Sequence, residues 1–276
     1  MGVSRVPAEL LSELEPLFVT APVTRCGTTL LQRLICSAPN ALLFGESVAA
    51  DMENGLSISY ARALMYDMGR GEVREKLDAV LSGDVNRWLF DLTPGIDEYL
   101  PALRGQYESP LIGARNSAAK HGRTVWGVKY PRWPGSAIEL LRSVIPRSRW
   151  IYIHRDLLEC LRSAKGRGEF LRPNDVAAYA QEWNANMSFA MSLPPDERFL
   201  ILDYADLARD PEAFLRRIEE HSGARPIDRN VLRHRVNDSE GYLPPVELTD
   251  AEVEQALAIA GETRKAVGRW QFAAGR

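Results

Sequence analysis

The residues best suited to chemistry lie in the loop of residues 24–29, TRCGTT, directly behind an apolar run that ends at residue 20. Gly27 allows the backbone to approach a ligand closely, the two threonines that follow add hydroxyl donors, and Arg25 supplies positive charge. A helix that begins at this glycine also presents free backbone N–H groups to an anion. The alternative is an ordinary turn in which a threonine only caps the helix. Two successive threonines after Arg-x-Gly favour the anion-binding interpretation.

The loop departs from the pattern that binds nucleoside triphosphates. That pattern has Gly, four further residues and then Gly-Lys followed by Ser or Thr. In this chain Ala21 occupies the position of the pattern's first glycine, and Thr28 occupies the position of its lysine. The departure favours a phosphate-like ligand other than ordinary ATP or GTP. Cys26 is interpreted as a small residue in a serine's place, with a reactive thiol as the alternative, because helix N-termini lower the pKa of thiols.

A second candidate anion site begins at Arg155 and continues to Arg167 in the sequence RDLLECLRSAKGR. Asp156 and Glu159 fit a capping box, which predicts that a helix starts here. On that helix Ser163 and Arg167 lie four residues apart on one face, where a phosphate could bind. A solvated basic helix is an equally good interpretation of this segment taken alone.

Three further candidates follow other apolar runs. Glu46 comes after LLFG, and its spacing alone favours a carboxylate at a helix N-terminus, with a general base as the alternative. Lys129 ends the run VWGVK, where Pro131 fixes the turn. Its position at a strand end favours a charge stabiliser over a surface lysine. Tyr204 comes at the end of the run FLILD.

Four short apolar runs predict the elements that position these groups, at about residues 17–20, 124–129, 149–154 and 198–203. Each run is rich in β-branched or aromatic residues and each precedes a helical pattern, which is typical of a parallel sheet with crossover helices. Ligands of such sheets bind outside the carboxyl ends of the strands, where the candidate residues lie. The sequence therefore predicts an α/β fold with a P-loop-like central parallel sheet flanked by helices.

The first helical patterns after the strand runs lie in a long segment with several expected breaks. Residues 46–118 carry amphipathic patterns with expected breaks at Gly55, at residues 69–71 and at residues 93–95. We interpret residues 51–118 as a helical insertion after the first βα unit, which would form a lid over the ligand site.

Later helices are expected from Asp156 to about residue 165, from Asp210 to Ser222-Gly223, and over residues 250–266. Residues 223–249 carry three prolines and are expected to be irregular.

Composition limits the classes of function. The chain of 276 residues is long enough for one sizeable α/β domain, taken as residues 1–276, and its net charge of −3 gives no global basic field for nucleic acid. The longest apolar runs are far shorter than a membrane span, and the N-terminus lacks a secretory signal, so a cytoplasmic location is expected. Three dispersed cysteines and four scattered histidines predict neither a disulfide framework nor a metal site.

Together these segments resemble the sulfotransferase superfamily that uses 3′-phosphoadenosine-5′-phosphosulfate (PAPS). TRCGTTLL resembles its 5′-phosphosulfate loop, and IHRDLLECLRS resembles its 3′-phosphate motif, an arginine followed eight residues later by serine. WGVKYP, DYADLARDPEAFLRRI and the terminal VGRW resemble further elements, in the family's order. The pattern is nearest to that of bacterial sulfotransferases related to the tyrosylprotein sulfotransferases. Thr24 and Cys26 replace the family's usual proline and serine, and Leu157-Leu158-Glu159 replaces Pro-x-Asp.

The resemblance implies a role for each matching residue. The 5′-phosphosulfate would be held by the loop residues Arg25, Cys26, Gly27, Thr28 and Thr29, and the rest of the donor by Arg155, Ser163, Arg167 and Tyr204. Glu46 would be the general base, and Lys129 with Arg25 would stabilise charge in the transition state.

The implied reaction moves a sulfuryl group from PAPS to the hydroxyl of a small-molecule acceptor, without a metal. Two alternatives stay open: a P-loop kinase for a small metabolite, and a non-catalytic protein of the same fold that binds the 3′,5′-bisphosphate. No nucleic-acid partner and no membrane span are expected, and a homo-oligomer is left open.

Overall fold

A five-stranded parallel sheet forms the centre of the computed structural model, which describes residues 9–86, 92–170, 175–234 and 244–273. The strand order is β2-β3-β1-β4-β5. Their bounds are β1 Leu17–Thr20, β2 Ala41–Phe44, β3 Val125–Lys129, β4 Arg149–His154 and β5 Phe199–Asp203. The predicted α/β fold with a parallel sheet is confirmed.

The sequence predicted four strands, and the structure adds a fifth, β2, within its described residues. This strand pairs with β3, and Ala41 lies opposite Val125 at the start of the pairing. It lies at the sheet edge and follows the first βα unit. The four residues ALLF contain no β-branched side chain, so the pattern that usually separates a strand from a helical segment is missing.

Helices cover the sheet and connect its strands. Within the described ranges they are α1 Glu9–Glu13, α2 Thr28–Ser37, α3 Glu46–Leu81, α4 Ile96–Lys120, α5 Gly135–Val144, α6 Leu157–Gly166, α7 Asp175–Ser192, α8 Tyr204–Arg209, α9 Pro211–Ser222, α10 Asp250–Ala273 and a short 3-10 helix Arg229–Arg233.

The predicted insertion is a pair of long helices, α3 and α4, that connects β2 to β3. The break expected at residues 93–95 is confirmed, while those at Gly55 and residues 69–71 are wrong, because α3 runs without interruption through both. Gly55 serves packing instead: a Cβ there would lie 2.7 Å from the carbonyl carbon of Gln106, so the glycine lets α4 approach. The part of the insertion at residues 87–91 lies outside the described residues.

The other predicted helices are close to those observed. Helix α6 begins after the N-cap Asp156, and α9 ends at Ser222 with the C-cap Gly223, whose φ of 73° is left-handed. Helix α10 extends to residue 273, beyond the expected end at residue 266. Residues 235–243 of the expected irregular segment lie outside the described residues.

Aromatic packing fixes the central strand. The Phe18 ring of β1 lies 4.5 Å from that of Trp150 on β4 and 5.2 Å from that of Trp133, centroid to centroid, and all three side chains are fully buried. Such contacts hold β1 in a fixed relation to the elements packed against it. None of the helices in the described part of the chain has a stretch long and apolar enough to cross a bilayer.

Candidate active site

The loop between β1 and α2 has the geometry of an anion-binding turn. Arg25 has a φ of 65° and Gly27 a φ of 98°, so the backbone turns sharply before α2 begins at Thr28. The first intrahelical bond is donated by the N–H of Leu31 to the carbonyl of Gly27, at 3.0 Å. The N–H groups of residues 28–30 therefore have no partner inside the helix, and the first turn of α2 contains no acid.

Residues from three different strand ends meet at this loop. A Cβ on Gly27 would lie 2.5 Å from Cδ2 of Tyr204, which follows β5, so the tyrosine ring lies against the glycine. The guanidinium carbon of Arg155, which follows β4, is 4.9 Å from the centroid of the same ring. This cation–π contact holds a positive charge beside the loop.

Hydrogen bonds connect the two predicted anion motifs directly. Arg25 donates from Nε to the Ser163 hydroxyl on α6 at 3.2 Å, and Arg155 donates from Nη1 to the Arg25 carbonyl at 3.4 Å. Arg155 also bonds through Nε to Glu159 at 2.8 Å. Arg167 is the C-cap of α6, one turn beyond the serine. The structure thus brings Arg25, Arg155 and Ser163 together, whereas their binding roles stay predictions.

Helix α7 holds the backbone of both motifs, and sequence reasoning missed this. The Tyr179 hydroxyl donates to the Thr24 carbonyl at 2.7 Å, and the Asn186 side chain donates to the carbonyl of Pro22 at 2.8 Å. The Trp183 indole N–H donates to the Arg155 carbonyl at 3.2 Å. Positions 179, 183 and 186 share one helical face, so their spacing in AYAQEWNANM was the available signal.

Glu169 is a second residue that the sequence did not single out. Its carboxylate accepts a hydrogen bond from the Thr24 hydroxyl at 2.9 Å, and its other oxygen lies 3.8 Å from Nε of Arg25. It therefore partly offsets the positive charge of the loop. It lies in an irregular segment after α6, where no periodic pattern marks it.

The second group of candidates is an ion pair between Lys129 and Glu46. Nζ of Lys129 contacts Oε1 of Glu46; the lysine side chain is only 6% exposed, while the glutamate is 53% exposed. Glu46 is the first residue of α3, so the helix dipole also favours its charge. The sequence allowed two interpretations of Glu46, a carboxylate at a helix N-terminus and a general base. Its position in the structure is compatible with both.

The sheet places this ion pair next to the anion loop. Lys129 pairs in register with Val19, and the N–H of Tyr130 donates to the Val19 carbonyl at 2.9 Å. Neighbouring strands lie about 4.8 Å apart, so the lysine backbone is one strand from the start of the loop. The arrangement puts a buried cation and an accessible carboxylate beside a cradle for an anion.

Tyr130 connects the ion pair to a second carboxylate. Burial raises the pKa of Glu53, and a hydrogen bond from the Tyr130 hydroxyl acts in the opposite direction. The pKa of Tyr130 is raised by burial and by the nearby carboxylates of Glu53 and Glu46. Both shifts favour the neutral forms of the Tyr130 hydroxyl and the Glu53 carboxyl group.

Cys26 is fully buried, and its sulfur lies 3.5 Å from that of Cys160 on α6. Burial raises the pKa of Cys160 well above its ordinary value. This packing favours the small-residue interpretation of Cys26 over the reactive-thiol alternative. His154 of β4 is 3% exposed, and burial lowers its pKa. Across the described ranges, no three His, Cys, Asp or Glu side chains are grouped so that they could hold a metal ion.

Comparisons with known proteins agree with this geometry. A sulfotransferase family model matches residues 16–228. The solved sulfotransferase from Alicyclobacillus acidocaldarius superposes with a TM-score of 0.52 at 14% identity, covering 95% of this chain and 97% of that one, and so shows the same fold.

Two other solved structures are similar by the same comparison. The sulfotransferase domain of the Synechococcus PCC 7002 olefin synthase has a TM-score of 0.49 at 17% identity, covering 90% of this chain and 94% of that one. Sulfotransferase STF9 from Mycobacterium avium has a TM-score of 0.45 at 18% identity, covering 94% of this chain and 79% of that one. Comparison with curated proteins gave no significant match.

Proposed function

The chain belongs to the sulfotransferase family, and from that premise we propose that it moves a sulfuryl group from PAPS to the hydroxyl of a small-molecule acceptor. The observation that carries the proposal is the convergence of three groups at the carboxyl edge of one parallel sheet. These are the loop before α2, the Arg155–Ser163 pair, and the ion pair of Lys129 with Glu46. Ligands of open parallel sheets bind at this edge.

The residues fit a donor with two separate anionic ends. The free N–H groups of residues 28–30 and the close approach allowed at Gly27 suit the 5′ end. The Arg155 side chain donates a hydrogen bond to the backbone carbonyl of Arg25, so the two arginines are neighbours. Each guanidinium would bind a different anionic group of the donor. Ser163 on α6 and Arg167, the C-cap residue of that helix, would complete the 3′ end. The donor supplies the activated sulfuryl group when it is bound.

The remaining residues orient and deprotonate the acceptor. The Glu46 carboxylate is exposed enough to meet a hydroxyl, and it would accept the hydroxyl proton at a carboxylate oxygen. Lys129, held under the carboxylate by burial, would stabilise negative charge that develops at the reacting oxygens. Positioning and charge neutralisation would then supply most of the rate, as in phosphoryl transfer.

The test is a Glu46→Gln variant. We expect its turnover to fall about 10²–10⁴-fold, because the amide cannot accept the proton. Its affinity for 3′,5′-bisphosphoadenosine should stay at the wild-type value, since the donor loop is not altered. Turnover is measured as bisphosphate release from PAPS with the first alcohol or phenol that the wild-type chain sulfates, and affinity by calorimetric titration.

Glu212→Gln is the matched control, because Glu212 also lies in the first turn of a helix and pairs with a cation, Arg229, but belongs to α9. It should leave both quantities unchanged. Full turnover in Glu46→Gln would remove Glu46 from the role of base. ATP that binds tightly where the bisphosphate does not would overturn PAPS as the donor.

A further inference from the structure

Glu169 contacts the loop before α2 from a segment beyond the two predicted anion motifs. One oxygen of its carboxylate accepts a hydrogen bond from the Thr24 hydroxyl at 2.9 Å, and the other lies 3.8 Å from Nε of Arg25. Glu169 and Thr24 are 145 positions apart, so the contact depends on the fold and not on the local turn. It gives the arginine of the loop a negatively charged partner within the protein.

The backbone on both sides of Glu169 holds the carboxylate at the loop. Its N–H donates to the carbonyl of Ala164 at 3.1 Å, and Gly168 has a φ of 70°, which lets the chain turn sharply after α6. The Phe170 ring packs edge-on against that of Tyr179, with the centroids 5.6 Å apart. Tyr179 also donates a hydrogen bond to the backbone of the loop, so α7 holds both sides of the contact.

The carboxylate is close enough to change how strongly the loop binds an anion. Nε of Arg25 donates its hydrogen bond to Ser163 at 3.2 Å, so Glu169 acts on the arginine mainly through its charge. The Arg25 side chain is 33% exposed and that of Glu169 is 35% exposed, so water screens only part of this interaction. A negative charge at this distance repels any anion that Arg25 binds.

From this contact we propose that Glu169 is a counter-ion that limits the affinity of the loop for its anionic ligand. Its charge weakens binding of the donor's 5′ end and of the bisphosphate product alike, and so speeds product release, a step that limits turnover in many enzymes. The inference rests on the proposed sulfotransfer, because that reaction assigns PAPS and its product to the loop. A carboxylate that only supported the loop would have the opposite effect, since its removal would weaken binding.

Glu169→Gln separates these two roles, because the amide oxygen can still accept the hydrogen bond of the Thr24 hydroxyl. We expect its dissociation constant for 3′,5′-bisphosphoadenosine to fall about 3–10-fold at low ionic strength. The difference from the wild-type chain should nearly vanish in about 1 M salt, where charges are screened within about 3 Å. Calorimetric titration measures both values. Glu212→Gln is the matched control, since it removes the same charge from an ion pair with Arg229 and should bind normally.

The rate of product release is the second readout. Stopped-flow displacement of a fluorescent bisphosphate derivative should show dissociation at least about 3-fold slower in Glu169→Gln, because affinity differences between variants of one site lie mostly in this rate. ATP is titrated in parallel into both chains. If ATP binds and the bisphosphate does not, the proposed donor is wrong, and the same comparison made with ATP still tests Glu169.

Four outcomes would overturn the inference. They are unchanged or weaker nucleotide binding by Glu169→Gln at low ionic strength, a gain in affinity that persists in about 1 M salt, a dissociation rate equal to that of the wild-type chain, and binding of neither nucleotide to either chain. None of these measurements requires turnover, so a chain that binds the bisphosphate as expected but sulfates no acceptor would count against the proposed reaction only.

Discussion

Gly27 has the strictest steric requirement in the loop before α2. Its φ of 98° disfavours any side chain, and a Cβ would lie 2.5 Å from the ring of Tyr204. We expect Gly27→Ala to weaken binding of 3′,5′-bisphosphoadenosine at least about 10-fold, because either the loop or the tyrosine must move. Calorimetric titration measures the affinity.

Gly113→Ala is the control for this substitution. Gly113 lies inside α4, and a Cβ there would meet nothing within 4 Å. The control should bind the bisphosphate as the wild-type chain does and should unfold at a slightly higher denaturant concentration, since Ala is the better helix former. Wild-type affinity in Gly27→Ala would contradict the steric role of the glycine.

Single residues at strand ends were the part of the site that the sequence could predict. Arg25, Lys129 and Arg155 each follow an apolar run, and the topology of a parallel sheet brings such positions to one edge. The contact between Arg25 and Ser163 spans 138 positions of the chain and depends on the orientation of α6. No local pattern specifies that orientation. Glu46 has a local pattern, but it indicates a helix start as well as a base.

At the scale of elements, α7 acts as a brace behind both anion motifs. Tyr179 bonds to the loop after β1, and Trp183 bonds to the backbone after β4. These contacts bring no charged group of α7 into the site. They fix the backbone at Thr24 and Arg155, next to the side chains of the two motifs. Its role was missed because an amphipathic helix with buried aromatic residues is most often simply core.

Tyr179→Phe tests this brace. The variant loses only the hydroxyl that donates to the Thr24 carbonyl at 2.7 Å, a bond worth about 1 kcal/mol. We expect the affinity for 3′,5′-bisphosphoadenosine to fall about 3–10-fold, as a looser loop presents its N–H groups less well. Ser192→Ala on the same helix removes a hydroxyl that bonds only within α7, and it should bind normally. Equal affinities for the two variants would show that α7 packs behind the loop without positioning it.

Helix bounds show where element prediction succeeds. Helices α6 and α9 have clear caps, Asp156 and Gly223, and were placed closely. Helix α3 was divided wrongly because glycine usually interrupts a helix in sequence terms, whereas at Gly55 the packing of α4 outweighs the cost. Tertiary contacts of this kind are invisible in a local window.

At the scale of the whole molecule, the parallel sheet could be predicted from the sequence, but its edge strand β2 could not. The strands β1, β3, β4 and β5 each contain β-branched residues, which allow them to be recognised, whereas β2 contains none. The order β2-β3-β1-β4-β5 follows from pairing between strands distant in sequence. It determines that Lys129 lies beside β1 while Arg155 lies on the other side of it. The two sides of the candidate site are thus a consequence of strand order.

The stability of the whole chain should fall in mildly acidic solution because of buried histidines. Burial lowers the pKa of His221 from 6.5 to about 4; Arg149 also lowers it, while hydrogen bonding and Asp196 act in the opposite direction. The unfolded chain therefore takes up this proton first as the pH falls. The stabilisation is complete above about pH 6.5 and is lost progressively towards pH 4. His154, whose pKa burial also lowers, contributes with the same sign.

Urea unfolding between pH 7 and pH 5 measures this loss. For His221 alone we expect the free energy of unfolding to fall by about 1–2 kcal/mol over that range. Carboxylates such as Glu219, whose pKa is lowered from 4.5 by Arg229, lose their contribution only at lower pH, whereas Glu53, whose pKa burial raises, contributes with the opposite sign. His221→Gln should show a flatter pH profile than the wild-type chain, and His121→Gln, which alters an exposed histidine at the end of α4, should not. Identical slopes for the wild-type chain and His221→Gln would mean that His221 titrates normally in the folded protein.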